Sequence, residues 1–75
     1  MEIILFGQLA DIAGASKIEV KPAANTHELR NLLESCFPGL AGVKYMIAVN
    51  KQLVTEETML QGNETIALMP PFSGG

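Results

Sequence analysis

The feature that most constrains the fold is a single stretch of helical periodicity in a chain of 75 residues. Asn25 and Glu28 form an N-terminal capping pattern, in which each side chain satisfies a free backbone N–H near the start of a helix. Apolar residues then recur at helical spacing and make one apolar stripe. The stripe consists of Leu29, Leu32, Leu33, Cys36 and Phe37. Pro38-Gly39 ends the pattern, so we predict one amphipathic helix between Asn25 and Pro38.

The other apolar segments have the character of strands, either apolar throughout or alternating with polar residues. They span residues 2–6, 16–21, 45–49, 52–54 and 65–69. One helix cannot serve two sheets in a chain this short, so we predict a single mixed sheet with the helix packed across one face. The first and last strands are the most uniformly apolar and are expected to be central. This α+β arrangement is a β-grasp fold, formed by one domain over residues 1–75.

The connections between these segments carry recognisable turn residues. Residues 8–14 are predicted to hold one helical turn that ends at Gly14. Asn50-Lys51 is predicted to be a tight turn between two antiparallel strands. Residues 61–63 are predicted to turn the chain into the last strand.

Composition argues against several classes of function. One His and one Cys cannot build a zinc site of Cys and His ligands within one chain. We expect His27 to be exposed and Cys36 to be a buried small apolar residue. The net charge is −3 and the five Lys and Arg residues are dispersed, which argues against nucleic-acid binding. The sequence has no membrane-length apolar run and no basic leader, and its lone cysteine suits a reducing compartment, so we expect a cytoplasmic protein.

Strand alternation predicts a second apolar face on the sheet, because adjacent residues of a strand point to opposite sides. One alternating set consists of Ile3, Leu5, Ile66 and Leu68. If that set faces the helix, the set that faces away consists of Ile4, Phe6, Ala67 and Met69, with Met46 as a further member in one register. Exposed contiguous apolar surface on a small protein usually marks a partner site. The alternative is that segments 7–14 and 55–62 fold over this face and bury it.

The segment "MPPFSGG" at 69–75 carries the strongest functional signal. Pro70 and Pro71 cannot donate hydrogen bonds to a sheet, so they direct the chain away from the last strand. Phe72 offers an apolar anchor, and the final glycines let the backbone approach another protein closely. Five extended residues reach about 17 Å, far enough to enter a narrow pocket. We predict an extended tail over 71–75 with a reactive terminal carboxylate; the alternative is an ordinary frayed end.

Such a carboxylate becomes an electrophile when an ATP-dependent enzyme adenylates it. A sulfur source that attacks the adenylate leaves a thiocarboxylate, whereas a lysine amine leaves an isopeptide bond. On this interpretation the domain supplies recognition and its activating enzyme supplies the catalysis.

Four stretches of the chain resemble the family of small, sulfur-carrying subunits of molybdopterin synthase, the MoaD-like sulfur carriers. The stretches are "ILFGQLADIAG" at 4–14, "NTHELRNLLES" at 25–35, "YMIAVNKQLV" at 45–54 and "GNETIALMPPFSGG" at 62–75. The more specific pieces are "AVN" before a short strand and the closing "PPFSGG". A terminal Gly-Gly alone is shared with ubiquitin and all its sulfur-carrier relatives.

The resemblance implies a ubiquitin-like β-grasp that binds no cofactor and does not catalyse alone. Gly75, preceded by Gly74, would be adenylated by an activating enzyme that consumes ATP and converted to a thiocarboxylate with sulfur from a donor protein. The tail would enter the large catalytic subunit and give its sulfur to cyclic pyranopterin monophosphate, forming molybdopterin. Two small subunits on a dimer of large ones would make a heterotetramer. The implied partner-binding residues are Phe6, Met69, Pro70, Pro71, Phe72 and Ser73.

Three other functions stay open from the sequence. A sulfur carrier for thiamine synthesis or tRNA thiolation uses the same Gly-Gly chemistry, although the Pro-Pro before the last residues favours molybdopterin. A ubiquitin-like modifier joins Gly75 to lysines of target proteins. A plain interaction module has a tail with no chemical role.

Overall fold

The structure, a computed structural model, describes residues 1–71. These residues form one five-stranded mixed sheet with one long helix across one face. The strands are β1 (Glu2–Leu5), β2 (Lys17–Glu19), β3 (Met46–Val49), β4 (Gln52–Val54) and β5 (Thr65–Met69). The helices are α1 (Gln8–Ala13), α2 (Thr26–Cys36) and a 3₁₀ helix (Pro38–Gly42). The predicted α+β, β-grasp architecture is confirmed.

The sheet order is β2-β1-β5-β3-β4, so the first and last strands lie inside the sheet as predicted. β1 and β5 run parallel, with Leu5 opposite Leu68, whereas the other neighbouring pairs are antiparallel. Strand β5 is therefore hydrogen-bonded to a neighbour on each side. Its C-terminal end lies between β1 and β3, in the middle of the row of strand ends.

Helix α2 begins where the capping pattern predicts. The Asn25 side-chain oxygen accepts a hydrogen bond of 2.8 Å from the backbone N–H of Glu28. Leu29 and Leu33 of the apolar stripe are fully buried against the sheet. The helix ends at Cys36, after which the Phe37 N–H closes the last turn onto the Leu33 carbonyl.

The predicted burial of Cys36 is wrong, because its side chain is exposed. Cys36 occupies the last turn of α2, beyond which the chain turns at Phe37 into the 3₁₀ helix. Leu40 of that 3₁₀ helix is fully buried and Phe37 is half-buried against the core. The core at this end is therefore filled by Phe37 and Leu40, and Cys36 is left at the surface.

The β3–β4 hairpin has the predicted two-residue turn at Asn50-Lys51. Both residues have positive φ, 49° and 73°, which matches the twist of antiparallel strands. The Asn50 side-chain oxygen also accepts a 3.0 Å hydrogen bond from the Thr65 N–H at the start of β5. The turn therefore sets the register of β4 and ties the hairpin to the central strand.

The hydrophobic core lies between the sheet and α2. The predicted set Ile3, Leu5, Ile66 and Leu68 is at most 2% exposed and faces the helix. The helix side contributes Leu29, Leu33 and Leu40, together with Leu9 of α1 and Leu60. No helix within residues 1–71 combines the length and the apolar character that a membrane crossing requires.

Candidate functional site

The side of the sheet away from α2 forms an apolar surface, which we call the open face. Register fixes its members, because paired residues on neighbouring strands point to the same side. Ile4, Ala67 and Ala48 are successive partners across β1, β5 and β3. The open face consists of Ile4, Phe6, Met46, Ala48, Leu53, Ala67 and Met69. The set predicted from alternation is confirmed, and Met46 joins it as the partner of Met69.

The open face is only partly covered by its own neighbours. Phe6 is 48% exposed and Leu53 is 54% exposed, which is high for large apolar side chains. Ile4, Met46 and Met69 are half-buried, and they do not belong to the core cluster of the described residues. Contiguous exposed apolar surface of this kind is typical of a partner site.

The alternative that segment 7–14 covers this face is wrong. This segment forms α1, whose Leu9 is fully buried in the same core as Leu29 of α2. Ile12 of α1 packs against Gly39, where its methyl carbon lies 3.0 Å from the position a Cβ would take. Helix α1 therefore lies on the α2 side of the sheet.

Segment 55–62 does not cover the open face either. The Thr58 carbonyl accepts a 2.9 Å hydrogen bond from the Thr26 N–H, and the Thr26 hydroxyl accepts one of 3.0 Å from the Thr58 N–H. The Leu60 N–H donates to the Ala24 carbonyl, and the Leu60 side chain is part of the core. This segment runs beside the start of α2, so the described residues leave the open face uncovered.

The open face has a charged end and an apolar end. At the charged end the Lys17 ammonium lies 3.1 Å from the Glu2 carboxylate, and Glu19 is the strand partner of Glu2. At the apolar end lie Phe6 and Met69, the residue at which β5 ends. The chain therefore leaves β5 at the apolar end of the open face.

The chain leaves β5 beside Phe6 and Gly7. The Phe6 N–H donates a 3.1 Å hydrogen bond to the Leu68 carbonyl, which holds the two segments side by side. Gly7 has φ +58°, and a Cβ there would lie 3.0 Å from the Pro70 ring. Glycine at this position lets Pro70 pack directly against the backbone, so the exit of the chain is braced by the loop after β1.

The structure brings together the predicted site residues that it describes. Phe6 and Pro71 are exposed, whereas Met69 and Pro70 are half-buried. Phe6 and Met69 lie at the apolar end of the open face, and Pro70 packs beside them against Gly7. The predicted Phe72, Ser73, Gly74 and Gly75 lie outside the described residues, so the extended tail over 71–75 stays a prediction.

Two residues of the site were not found from the sequence. Leu53 lies at the β4 edge of the open face, and Gly7 supports Pro70. Leu53 alternates with Gln52 and Val54 along a strand, which places it on the opposite side of the sheet from these two neighbours. Only the register of the hairpin, which pairs Leu53 with Ala48, shows that this side is the open face. The role of Gly7 has no local signal, since its contact with Pro70 joins residues far apart in sequence.

The α2 side of the molecule carries polar features of a different kind. A shallow pocket of about 150 Å³ lies beside the start of α2. Its lining combines the exposed His27 and the half-buried Arg30 with Glu56 and Glu57. Within residues 1–71 no group of three His, Cys, Asp or Glu side chains is placed to hold a metal ion.

Tyr45 links β3 to α2 on this side. Its hydroxyl donates a 3.0 Å hydrogen bond to Glu34, and the Arg30 guanidinium lies 5.0 Å from its ring centroid. Burial raises the pKa of Tyr45 to about 12, helped by the hydrogen bond to the Glu34 carboxylate. The phenol therefore stays protonated at neutral pH and acts as a structural donor between helix and sheet.

Comparison with known proteins shows the family to which this chain belongs. The model described as the ThiS family matches residues 3–75. The chain belongs to the ThiS family. It is 33% identical over 82 residues to a human protein named molybdopterin synthase sulfur carrier subunit, covering 100% of this chain and 93% of that protein. An Arabidopsis thaliana protein of the same name is 25% identical over 79 residues, covering 100% of this chain and 82% of that protein.

The fold of this ThiS-family chain also occurs in a solved archaeal structure. SAMP1, the small archaeal modifier protein 1 of Haloferax volcanii, superposes with a TM-score of 0.78 at 23% identity. The match covers 99% of this chain and 97% of SAMP1. At this identity the likeness shows the shared β-grasp fold.

Proposed function

We propose that this ThiS-family chain is the sulfur carrier of a molybdopterin synthase in the cytoplasm. The observation that carries the proposal is the similarity to two proteins named as that subunit, which extends over 100% of this chain. The open face supports it, because a carrier must present a recognition surface next to the segment that carries the sulfur.

The proposed chemistry takes place on the carboxylate of Gly75. An activating enzyme joins that carboxylate to the α-phosphate of ATP, and pyrophosphate leaves. Hydrosulfide, released by a sulfur-donor protein, then attacks the acyl carbon, AMP leaves, and a thiocarboxylate remains. In the synthase the sulfur is transferred to cyclic pyranopterin monophosphate, and a second loaded carrier supplies the second sulfur of molybdopterin. Gly74 keeps the approach to the reacting carbon free of side chains.

The open face is proposed to dock on the large catalytic subunit. Phe6 and Met69 lie at the apolar end, where desolvating them against a partner yields the most favourable free energy. Pro70 and Pro71 follow β5 at this same end, and we propose that they direct Phe72 and Ser73 towards the partner's active site. Two carriers on a dimer of large subunits make the proposed heterotetramer.

Reconstitution tests this function directly. The purified chain, loaded as thiocarboxylate by an activating enzyme, is mixed with a molybdopterin synthase large subunit and the pyranopterin precursor. We expect molybdopterin to form, and we expect the variant without Gly75 to bind the large subunit but form none. Product formation by that shortened variant would rule the mechanism out.

A second candidate is a protein modifier, which the structural likeness to SAMP1 favours. In that case the activated Gly75 is attacked by a lysine amine of a target protein, and no sulfur is retained. Intact mass of the chain purified from its own host distinguishes the two. A carrier shows one oxygen replaced by sulfur. A modifier appears in adducts that leave residues 52–75 on the target lysine after trypsin digestion, because Lys51 is the last tryptic site of this chain.

A further inference from the structure

We infer that Met46 and Met69 form an oxidation site through which hydroperoxides control docking on the open face. The inference rests on the proposed function, since it concerns the same docking surface. It adds a regulatory modification with a defined chemistry and a defined pair of residues.

The first observation is the position of the pair. Met46 and Met69 are directly opposite each other in the antiparallel ladder of β3 and β5. Side chains of such a pair point to one side of the sheet with Cβ atoms about 4.5–5.5 Å apart. Both thioethers therefore belong to the apolar end of the open face, next to Phe6.

The second observation is the difference between this pair and the other two methionines. Met46 and Met69 are half-buried and outside the core cluster of the described residues, so a small oxidant reaches them. Met1 packs against the core. Met59 is 73% exposed but bridges to Asn25 at the start of α2, away from the open face. Met59 is thus a built-in control for oxidation that does not touch the docking surface.

The reaction is balanced by the oxidant alone. The thioether sulfur attacks one oxygen of a hydroperoxide, the O–O bond breaks, and a sulfoxide and water (or an alcohol) are formed. Sulfur loses two electrons and the peroxide gains them. Methionine sulfoxide reductases reverse the change.

Oxidation of the two methionines makes the open face more costly to desolvate when a partner docks. The sulfoxide oxygen is a strong hydrogen-bond acceptor, and the neighbouring side chains Phe6, Ile4 and Ala48 offer no donor. Docking would strip water from that oxygen without replacing its hydrogen bonds, which is costly. The reduced pair is apolar and adaptable, and so suits the same docking. The free carrier is therefore sensitive to oxidation, and the docked carrier is shielded.

The experiment treats the full chain with hydrogen peroxide, maps sulfoxides by peptide mass spectrometry, and measures affinity for a molybdopterin synthase large subunit. We expect oxidation of the pair to weaken binding about tenfold or more. A methionine sulfoxide reductase should restore it. The double variant Met46→Leu, Met69→Leu should bind comparably before and after treatment, whereas Met59→Leu should respond as the unaltered chain does.

Two further measurements keep the inference falsifiable. The double variant Met46→Gln, Met69→Gln, which places a polar amide of similar length at each position, should bind weakly without any oxidant. Peroxide treatment of the preformed complex should leave Met46 and Met69 reduced while Met59 is oxidised. Full oxidation of the pair with unchanged affinity, or equal loss of binding in the leucine variant, would overturn the inference. If the untreated chain does not bind the large subunit at all, the docking surface of the proposed function is wrong. That result differs from the two outcomes that overturn the oxidation site, because both of those require binding by the untreated chain.

Discussion

The two faces of the sheet are built from alternate residues of the same strands, and they are used differently. On the face covered by α2, Ile3 and Ile66 are fully buried. On the open face, their neighbours Ile4 and Ala67 are only half-buried, and Phe6 beyond them is 48% exposed. Apolar character is therefore similar on both faces, but only one face contributes its full burial to folding.

On the proposed function, this difference lets one sheet of a very small domain serve both folding and partner binding. Burying a Leu or Ile side chain stabilises a fold by about 1.5–3 kcal/mol. The covered face gains this stabilisation on folding, and on the proposed function the open face gains part of it when a partner docks. Substitutions on the covered face should therefore act on stability, and those on the open face on binding.

The largest expected effect is on the covered face. Leu68→Ala removes a fully buried side chain and should lower the free energy of unfolding by about 2–5 kcal/mol. Its neighbour in β5, Met69→Ala, should cost much less, because Met69 lies on the open face. Denaturant unfolding of both variants measures the difference; equal losses would show that the open face is part of the stabilising core.

The next effect is on binding. Phe6→Asp should weaken the complex with a molybdopterin synthase large subunit about tenfold or more, which corresponds to about 1.4 kcal/mol. The unfolding midpoint should change little, since Phe6 is exposed in the free chain. Met59→Asp is the matched control, because Met59 is exposed but outside the open face. Calorimetric titration of the two variants tests the assignment, and an equal loss in the control would contradict it.

An effect of similar size is expected where the chain leaves β5 beside Gly7. Gly7→Ala forces a side chain into positive φ and against the Pro70 ring, so it should destabilise the fold by about 1–2 kcal/mol. Gly42→Ala meets no atom within 4 Å and should be close to neutral. Thermal unfolding compares them. Similar melting temperatures for the two variants would contradict a stabilising contact between Gly7 and Pro70.

The smallest effect is a pH dependence on the covered side. The folded pKa of Tyr45 is raised to about 12 from 10.0, so folding favours the protonated phenol. Its contribution should be complete below pH 10 and should be lost as the pH rises towards 12, because the unfolded chain releases the proton first. Tyr45→Phe should lack this part of the alkaline loss. If the two pH profiles run parallel above pH 10, the burial of Tyr45 has no influence on its titration.

Much of the fold was predictable because it depends on residues close in sequence. The Asn25 cap, the Asn50-Lys51 turn and the bounds of β5 were all predicted and are confirmed. Cys36 was assigned to the wrong environment, since helical spacing places it on the stripe but cannot tell that the segment after α2 fills the core there.

The candidate site was predictable in part for the same reason. Alternation alone grouped Phe6 with Met69, whereas Leu53 entered the open face only through the register of the hairpin. The support of Pro70 by Gly7 joins two ends of the described chain and has no local signal.

The sequence by itself determined the order and approximate position of helix α2 and of the five strands, and which residues share a face of each strand. These properties follow from backbone geometry and from side chains within a few positions of each other. Only the tertiary structure decided that α1 and segment 55–62 both pack on the α2 side, leaving the open face uncovered, and that Met46 lies opposite Met69. Such pairings are set by burial and hydrogen bonding between segments distant along the chain, which no local pattern encodes.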